Sequence, residues 1–413
     1  MNKKRLKDYL SSPRALRTTG AFGFALAVLV SGAGAASAQG AVNCNAPQIQ
    51  FPITPATAPF FNWGPSAVCA VAASTTALTA TMNNANTVFL TNTSAFVGSP
   101  PGQPNASAGG IWVRGIGGST DISSRGTFTT PAAAGGFGPV SVDVKERTGF
   151  AGVQGGVDIA RLNMGASGWN GHLGVTGGFL GTHNSDLIGT GSSNTDVPFV
   201  GLYGVLTHAS GFFSDFLLRW DWYSNSVTNA NMGMNGQGFN AHAVSLTTSA
   251  GYRIGLANDW FIEPSGGFIW SRANADALAV PGGGQFGVPP GTITFDGVDS
   301  FLGRVGLRVG TTVSTPSMIW QPYAVVNLWR EFADEATAQF TPNGGGFPLN
   351  ISASRVGTYG QFGLGLAAQV PQTGWLSYIR GDYRKGDNIE GWGLSVGLRY
   401  QWQEAGGPRL ITK

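Results

Sequence analysis

From Ile111 onward, apolar and polar residues alternate with a period of two, the pattern of strands that keep one face apolar. The alternation falls into twelve segments, near 111–120, 147–160, 169–183, 196–208, 211–226, 239–256, 259–273, 298–313, 318–333, 354–370, 374–385 and 389–402. The last is the clearest. Trp392, Leu394, Val396, Leu398, Tyr400 and Trp402 share one face, and Gly391, Gly393, Ser395, Gly397, Arg399 and Gln401 the other. In 211–226, Phe212, Phe216, Leu218, Trp220 and Trp222 oppose Asp215, Arg219, Asp221 and Asn225.

A soluble sandwich also alternates, so strand length decides. Soluble strands run to about five or six residues, whereas these run to about ten or more, the length a tilted strand needs to cross a bilayer. Trp260 and Trp270 share a face ten residues apart, as do Trp392 and Trp402. Ten residues at about 3.3 Å, tilted about 40°, rise about 25 Å, the height of an apolar band between aromatic girdles. The sequence therefore predicts an all-β fold, a twelve-stranded antiparallel transmembrane β-barrel over 111–402. Its outer face meets outer-membrane lipid. The charged positions Asp215, Arg219, Asp221, Arg253, Arg304, Arg308, Arg380 and Arg399 are then expected to line the pore.

Connections support this topology. Long gaps such as 121–146 and 274–297 alternate with short turns such as Ala209-Ser210, as extracellular loops alternate with periplasmic turns. The even strand count puts both barrel ends in the periplasm. Glycine-proline tips at Pro281 and Asn343 read as variable loops that could contact partners.

Ahead of the barrel the pattern differs. No charged residue occurs between Gln39 and Gly110. Within 66–97, Ala, Thr, Ser and Asn run without Gly or Pro, with Val71, Leu78, Met82 and Phe89 on one stripe, which predicts one long helix. Its uncharged side chains can hydrogen-bond the wall arginines, and residues 100–110 form a linker. Residues 1–38 read as a cleaved secretory signal: a basic start, an apolar stretch from Ala21 to Val30, and Ala36-Ser37-Ala38, with cleavage between Ala38 and Gln39. In an exported chain the only two cysteines, Cys44 and Cys69, suggest a disulfide. Two buried thiols are the alternative.

Composition narrows the class. Of 413 residues, 64 are glycine and 11% are charged, against about 25% charged in an average soluble domain. Without the basic leader the formal charge of +3 turns slightly negative, so basicity argues for no nucleic-acid partner. Nothing implies a cofactor or a metal.

Several stretches, in order, resemble the translocator domain of autotransporters: Gly110-Ile-Trp-Val-Arg-Gly115, Phe261-Ile-Glu-Pro264, Gly303-Arg-Val-Gly-Leu-Arg308, Gln321-Pro-Tyr-Ala-Val-Val-Asn327 and Gly397-Leu-Arg-Tyr-Gln-Trp402. The resemblance implies a monomeric barrel with a helix running through the pore into its first strand. It also implies periplasmic chaperones and the barrel-assembly machinery as partners, the latter reading Tyr400 and Trp402 as an assembly signal. Two departures stand out: only about 70 residues precede the first strand where family members carry a large passenger, and residues 403–413 extend past Trp402.

The functional expectation is an outer-membrane translocator-like protein with a vestigial passenger, structural or surface-exposed and not an enzyme. A passive porin-like channel is the alternative. A rim enzyme would rest on His183 with Asp186 and Asp196 activating water, since His172, His208 and His242 lack obvious partners in the sequence. Some autotransporters cleave themselves between two asparagines of the pore helix, and Asn83-Asn84 falls in the corresponding region.

Overall fold

The computed structural model describes residues 41–42, 64–88, 103–128, 140–284, 288–296, 298–345 and 348–403. Twelve antiparallel strands form the wall: β1 (Ala106–Phe128), β2 (Val140–Leu162), β3 (Trp169–Asp186), β4 (Gly191–His208), β5 (Phe212–Asn229), β6 (Met234–Tyr252), β7 (Trp260–Ala275), β8 (Val298–Thr311), β9 (Ile319–Glu331), β10 (Thr358–Gln369), β11 (Trp375–Gly386) and β12 (Ile389–Gln403). Each pairs with its successor, and β12 closes on β1 from Ile389↔Ile122 to Gln403↔Ala108. A bilayer leaves no water for unpaired backbone groups, so a spanning sheet has to close. All twelve expected strands are present, and several outgrow their expected bounds. β1 and β2 have 23 residues each and rise well past the apolar band.

The apolar parity faces outward. On β12 Trp392, Leu394 and Val396 are about half exposed, while Arg399 on the opposite parity is 1% exposed. Trp260 and Trp270, like Trp392 and Trp402, lie on the outer face. We call the end carrying Phe128 and Val140 the loop end. The opposite end, with short connections such as 209–211 and both barrel termini, is the turn end.

At the loop end, the glycine-rich connections are not plain loops. Leu278–Val280 pairs with Gly291–Asp296, which pairs with Ala336–Pro342, which pairs with Leu349–Ala353. The last of these joins Gly126 and Thr127 of β1. These strands form a collar above the wall. Their inward side chains, Ile293, Phe340, Leu349 and Ile351 among them, are at most 2% exposed.

Inside lies the helix α1, Gly64–Val88. It begins slightly before the expected Ser66, with Pro65 in its first turn, where the missing N–H costs nothing. Residues 89–97 of the expected helix lie outside the described residues. Its 25 residues span about 37 Å. From Ala67 to Val88 every side chain except Thr79 is buried, so the helix has no solvent face, and the expected apolar stripe is only part of what it buries. Toward the loop end it joins one apolar cluster with Leu278, Ile293, Phe340 and Leu349. Further along, Ala80 packs among Ile122, Ile269, Leu302, Trp329 and Tyr359.

Burying threonines costs little here because several hydroxyls are satisfied within the helix. Thr75 and Thr76 donate to the carbonyls of Val71 and Ala72 at 2.8 and 2.9 Å, and Thr87 donates to Asn83 O at 2.7 Å. Phe340 ties the collar to this core. Phe340→Ala should lower stability by about 3–5 kcal/mol, read as a lower midpoint for loss of heat-modifiable gel migration, with the wall still forming.

Candidate functional site: the helix-filled lumen

The helix ends against the wall at two arginines. The last carbonyls of a helix lack intrahelical donors and carry the negative end of its dipole. Arg219 of β5 donates from Nη1 to Ala85 O at 2.8 Å and from Nη2 to Asn86 Oδ1 at 3.3 Å. Asp221, two residues along the same face, orients Arg219 through a 2.7 Å ion pair, with both side chains at most 2% exposed. Arg384 of β11 donates to Thr87 Oγ1 at 3.0 Å. Three further helix contacts are neutral. Asn86 donates to Ser271 Oγ at 2.9 Å, Thr120 donates to Asn84 Oδ1 at 3.0 Å, and Thr81 lies 3.2 Å from Thr182.

Other interior arginines make contacts within the wall. Arg308 and Arg253 share Glu263, at 2.5 and 3.5 Å. Arg380 pairs with Asp382 on its own strand, and Arg304 lies over the Trp329 ring. Asp215 accepts from Ser249 at 2.7 Å. Among the expected pore-lining residues, Arg219 is the one whose hydrogen bonds to the described helix are defined. Arg384 belonged with it, and the signal was its parity with Arg380 on β11.

Toward the turn end a second network crosses the seam. Arg399 of β12 reaches over β1 to Asp158 of β2, at 2.8 and 2.9 Å. Asp158 also accepts from Tyr203 at 2.8 Å and bonds His172 Nδ1 at 2.9 Å. Tyr203 accepts from Trp112 Nε1 at 2.8 Å. His172, which lacked an obvious partner in the sequence, thus has one across the sheet. Gly174 makes room for this cluster, since a Cβ there would meet the Tyr203 ring at 2.6 Å.

Of His183, Asp186 and Asp196, on which a rim enzyme would rest, the first two have separate partners. His183 bonds Asn194 Oδ1 at 2.7 Å and Ser185 Oγ at 3.2 Å, while Asp186 accepts from the backbone amides of Ile188 and Gly189. Asp196 faces outward on β4. His208 bonds Ser210 and Ser167 O in a turn, and His242 is exposed on β6. Asn83 and Asn84 are buried in the helix, and no carboxylate hydrogen-bonds either side chain among the described residues. Tyr400 and Trp402 sit on the outer face of β12, Tyr400 against Trp375 at 5.0 Å. Cys69 lies buried on the helix and is not a free thiol. Cys44, Ala38, Gln39 and residues 404–413 lie outside the described residues.

The family model described as the autotransporter β-domain matches residues 111–382. The chain belongs to the autotransporter β-domain family. Among curated relatives, the pertactin autotransporter of Bordetella parapertussis is 28% identical over 305 residues, covering 72% of this chain and 29% of that protein. The BrkA autotransporter of Bordetella pertussis is 27% identical over 253 residues, covering 59% of this chain and 24% of that one. The chain thus matches less than a third of each relative's length. Among solved structures, the β domain of the Bordetella autotransporter BrkA aligns with a TM-score of 0.51 at 22% identity, covering 71% of this chain and all of that one. The transport unit of AIDA-I from Escherichia coli aligns at 0.55 and 15% identity, covering 79% and 98%. Both share the fold. Autotransporter β-domains reside in the outer membrane, and this one carries its helix inside the barrel.

One buried acid of this β-domain titrates in an accessible range. Glu146 of β2 lies above the apolar band, since Lys145 and Arg147 beside it face outward and are exposed. Its side chain points inward at 2% exposure. Burial, and then the Asp186 carboxylate, push its carboxyl up to about 9. The native state therefore holds a proton that the unfolded chain releases near pH 4.5. The associated stability is complete below that pH and is lost as pH rises toward 9. Glu146→Gln should flatten the fall in unfolding midpoint between about pH 5 and about pH 9. Arg219→Ala, which strands a buried Asp221, should cost about 3–5 kcal/mol in the same measurement.

Proposed function

We propose that this protein is an outer-membrane translocator unit whose lumen is held shut by its own helix, and that it presents the segment ahead of the helix at the cell surface. The observation that carries this is the position of α1. It starts at the loop end, is buried from Ala67 to Val88, and is met at its last turn by Arg219 and Arg384. With the loop end outside the cell, the chain before Gly64 is delivered to the exterior. Twelve strands enclose a lumen between the side-chain-filled eight-stranded barrel and the water-filled sixteen-stranded one, and one helix about 10–12 Å across suits that width. The porin-like reading is less well supported, because the helix lies buried within the barrel from Ala67 to Val88.

The same reading carries subsidiary roles. Residues 1–38 direct export, with cleavage between Ala38 and Gln39. The Cys44–Cys69 disulfide tethers the segment to the helix, in keeping with the oxidised state of Cys69. Periplasmic chaperones deliver the chain, and the assembly machinery reads Tyr400 and Trp402 on the last strand. The barrel acts as a monomer. No catalytic step is proposed for the lumen or the rim.

Deleting 64–88 tests the plug. Single-channel recordings in planar bilayers should show conductance several-fold above that of the full chain, while heat-modifiable migration shows that the barrel still folds. Equal conductance with and without the helix would overturn the reading, because the lumen would then already be open.

A further inference from the structure

The outer face of the collar has a composition that neither lipid nor the helix requires. Cross-strand register aligns Thr294, Gln339 and Asn350 in one row. Asp296, Thr337, Ser352 and Thr127 align in the next. These side chains are exposed or half-exposed, whereas the alternate positions, such as Ile293, Phe340 and Ile351, are buried. The face is thus a lattice of hydroxyls and amides with one carboxylate. A trough of about 650 Å³ runs across it, lined by residues of both rows and also by Phe128, Phe295, Ala338 and Ile351. Mutual bonds hold the lattice in place. Gln339 donates to Asn350 Oδ1 at 2.6 Å, Thr341 donates to Gln339 Oε1 at 3.3 Å, and Thr127 and Ser352 lie 2.9 Å apart. Such pre-organisation lowers the ordering cost of binding.

Height and direction select the ligand. On β12 the girdle residue Trp392 pairs with Ser119 of β1. From Ser119 to Thr127 the strand advances eight residues, a rise of about 20 Å at about 3.3 Å each and a tilt of about 40°. The lattice continues the lipid-facing side of the wall, so it looks along the membrane plane and not up into the medium. A ligand there would come from the surrounding leaflet. Between band and lattice, Lys145 and Arg147 face the same way, and Arg147 pairs with Asp121 at 2.8 Å.

We propose that this face binds, within its own membrane, the phosphorylated saccharide headgroup of an outer-leaflet glycolipid. The sugars lie on the rows of Thr337, Gln339 and Asn350, and a phosphate lies near Lys145. Hydroxyl-rich ligands match a lattice of alternating donors and acceptors, and an anionic group matches the lysine below it. The proposal rests on the loop end being outside the cell.

The test uses the full folded chain in detergent, with three probes: lipopolysaccharide, lipid A without core sugars, and vesicles of phosphatidylethanolamine and phosphatidylglycerol. Lipopolysaccharide should co-elute with the protein and bind about ten-fold tighter than lipid A. Thr337→Val combined with Gln339→Met should remove that difference while heat-modifiable migration stays intact. Lys145→Ala should weaken both phosphorylated probes. Equal binding of lipopolysaccharide and lipid A, or binding unchanged by the double variant, would overturn the saccharide lattice. A vesicle affinity equal to that for lipopolysaccharide would overturn it as well. Labelling of Asn343→Cys on whole cells with an impermeant maleimide checks orientation separately. Surface labelling without glycolipid preference defeats this proposal alone, whereas absent labelling defeats the orientation beneath it.

Discussion

A closed sheet of twelve strands encloses more space than its own side chains fill, and most of this structure is a response to that surplus. A spanning sheet must close to satisfy its backbone, and the closed wall has an interior that is neither a packed core nor an open channel. One helix occupies it. That helix can be buried on every side only because it is uncharged and because several of its hydroxyls are satisfied within it, Thr75 and Thr76 through the preceding turn. The charges needed at its end come from the wall, as Arg219 and Arg384, and Arg219 arrives already paired with Asp221.

This division of labour explains the composition. The wall alternates apolar residues outward with small, polar or charged ones inward, so few charges suffice and those in the interior are mostly paired locally. Arg380 with Asp382, and Arg308 with Glu263, pair within the wall. Where the wall rises past the membrane, the alternation inverts. The inward side chains of the collar are apolar because they face the helix, and the outward ones are polar because no hydrocarbon reaches them.

The wall was legible in the sequence because period-two alternation over ten or more residues has no other economical reading. The collar was not. Ala336 to Pro342 alternates as cleanly as any wall strand, but it is short, flanked by glycine and proline, and carries its apolar residues on the side a membrane reading assigns to polar ones. The helix was legible from composition, but its stripe was not diagnostic, since a helix within a cylinder has no outer face. Which arginine meets the helix depends on cross-strand register and axial height, and parity alone gives neither. The same holds for His172 and Asp158, which lie on neighbouring strands at a stagger no local pattern encodes.

The bridge from Arg399 to Asp158 bears on how such a cylinder could part. β12 and β1 are the chain's two barrel ends, joined by no covalent turn, and the line between them is where a barrel is expected to unzip. Yet the guanidinium from one side of that line is anchored two strands away on the other, inside the wall and shielded from water. Peeling β12 from β1 cannot proceed one backbone hydrogen bond at a time past this point. It must first expose a buried carboxylate that also holds a tyrosine and a histidine. The covalently weakest line in the wall is thereby riveted from within.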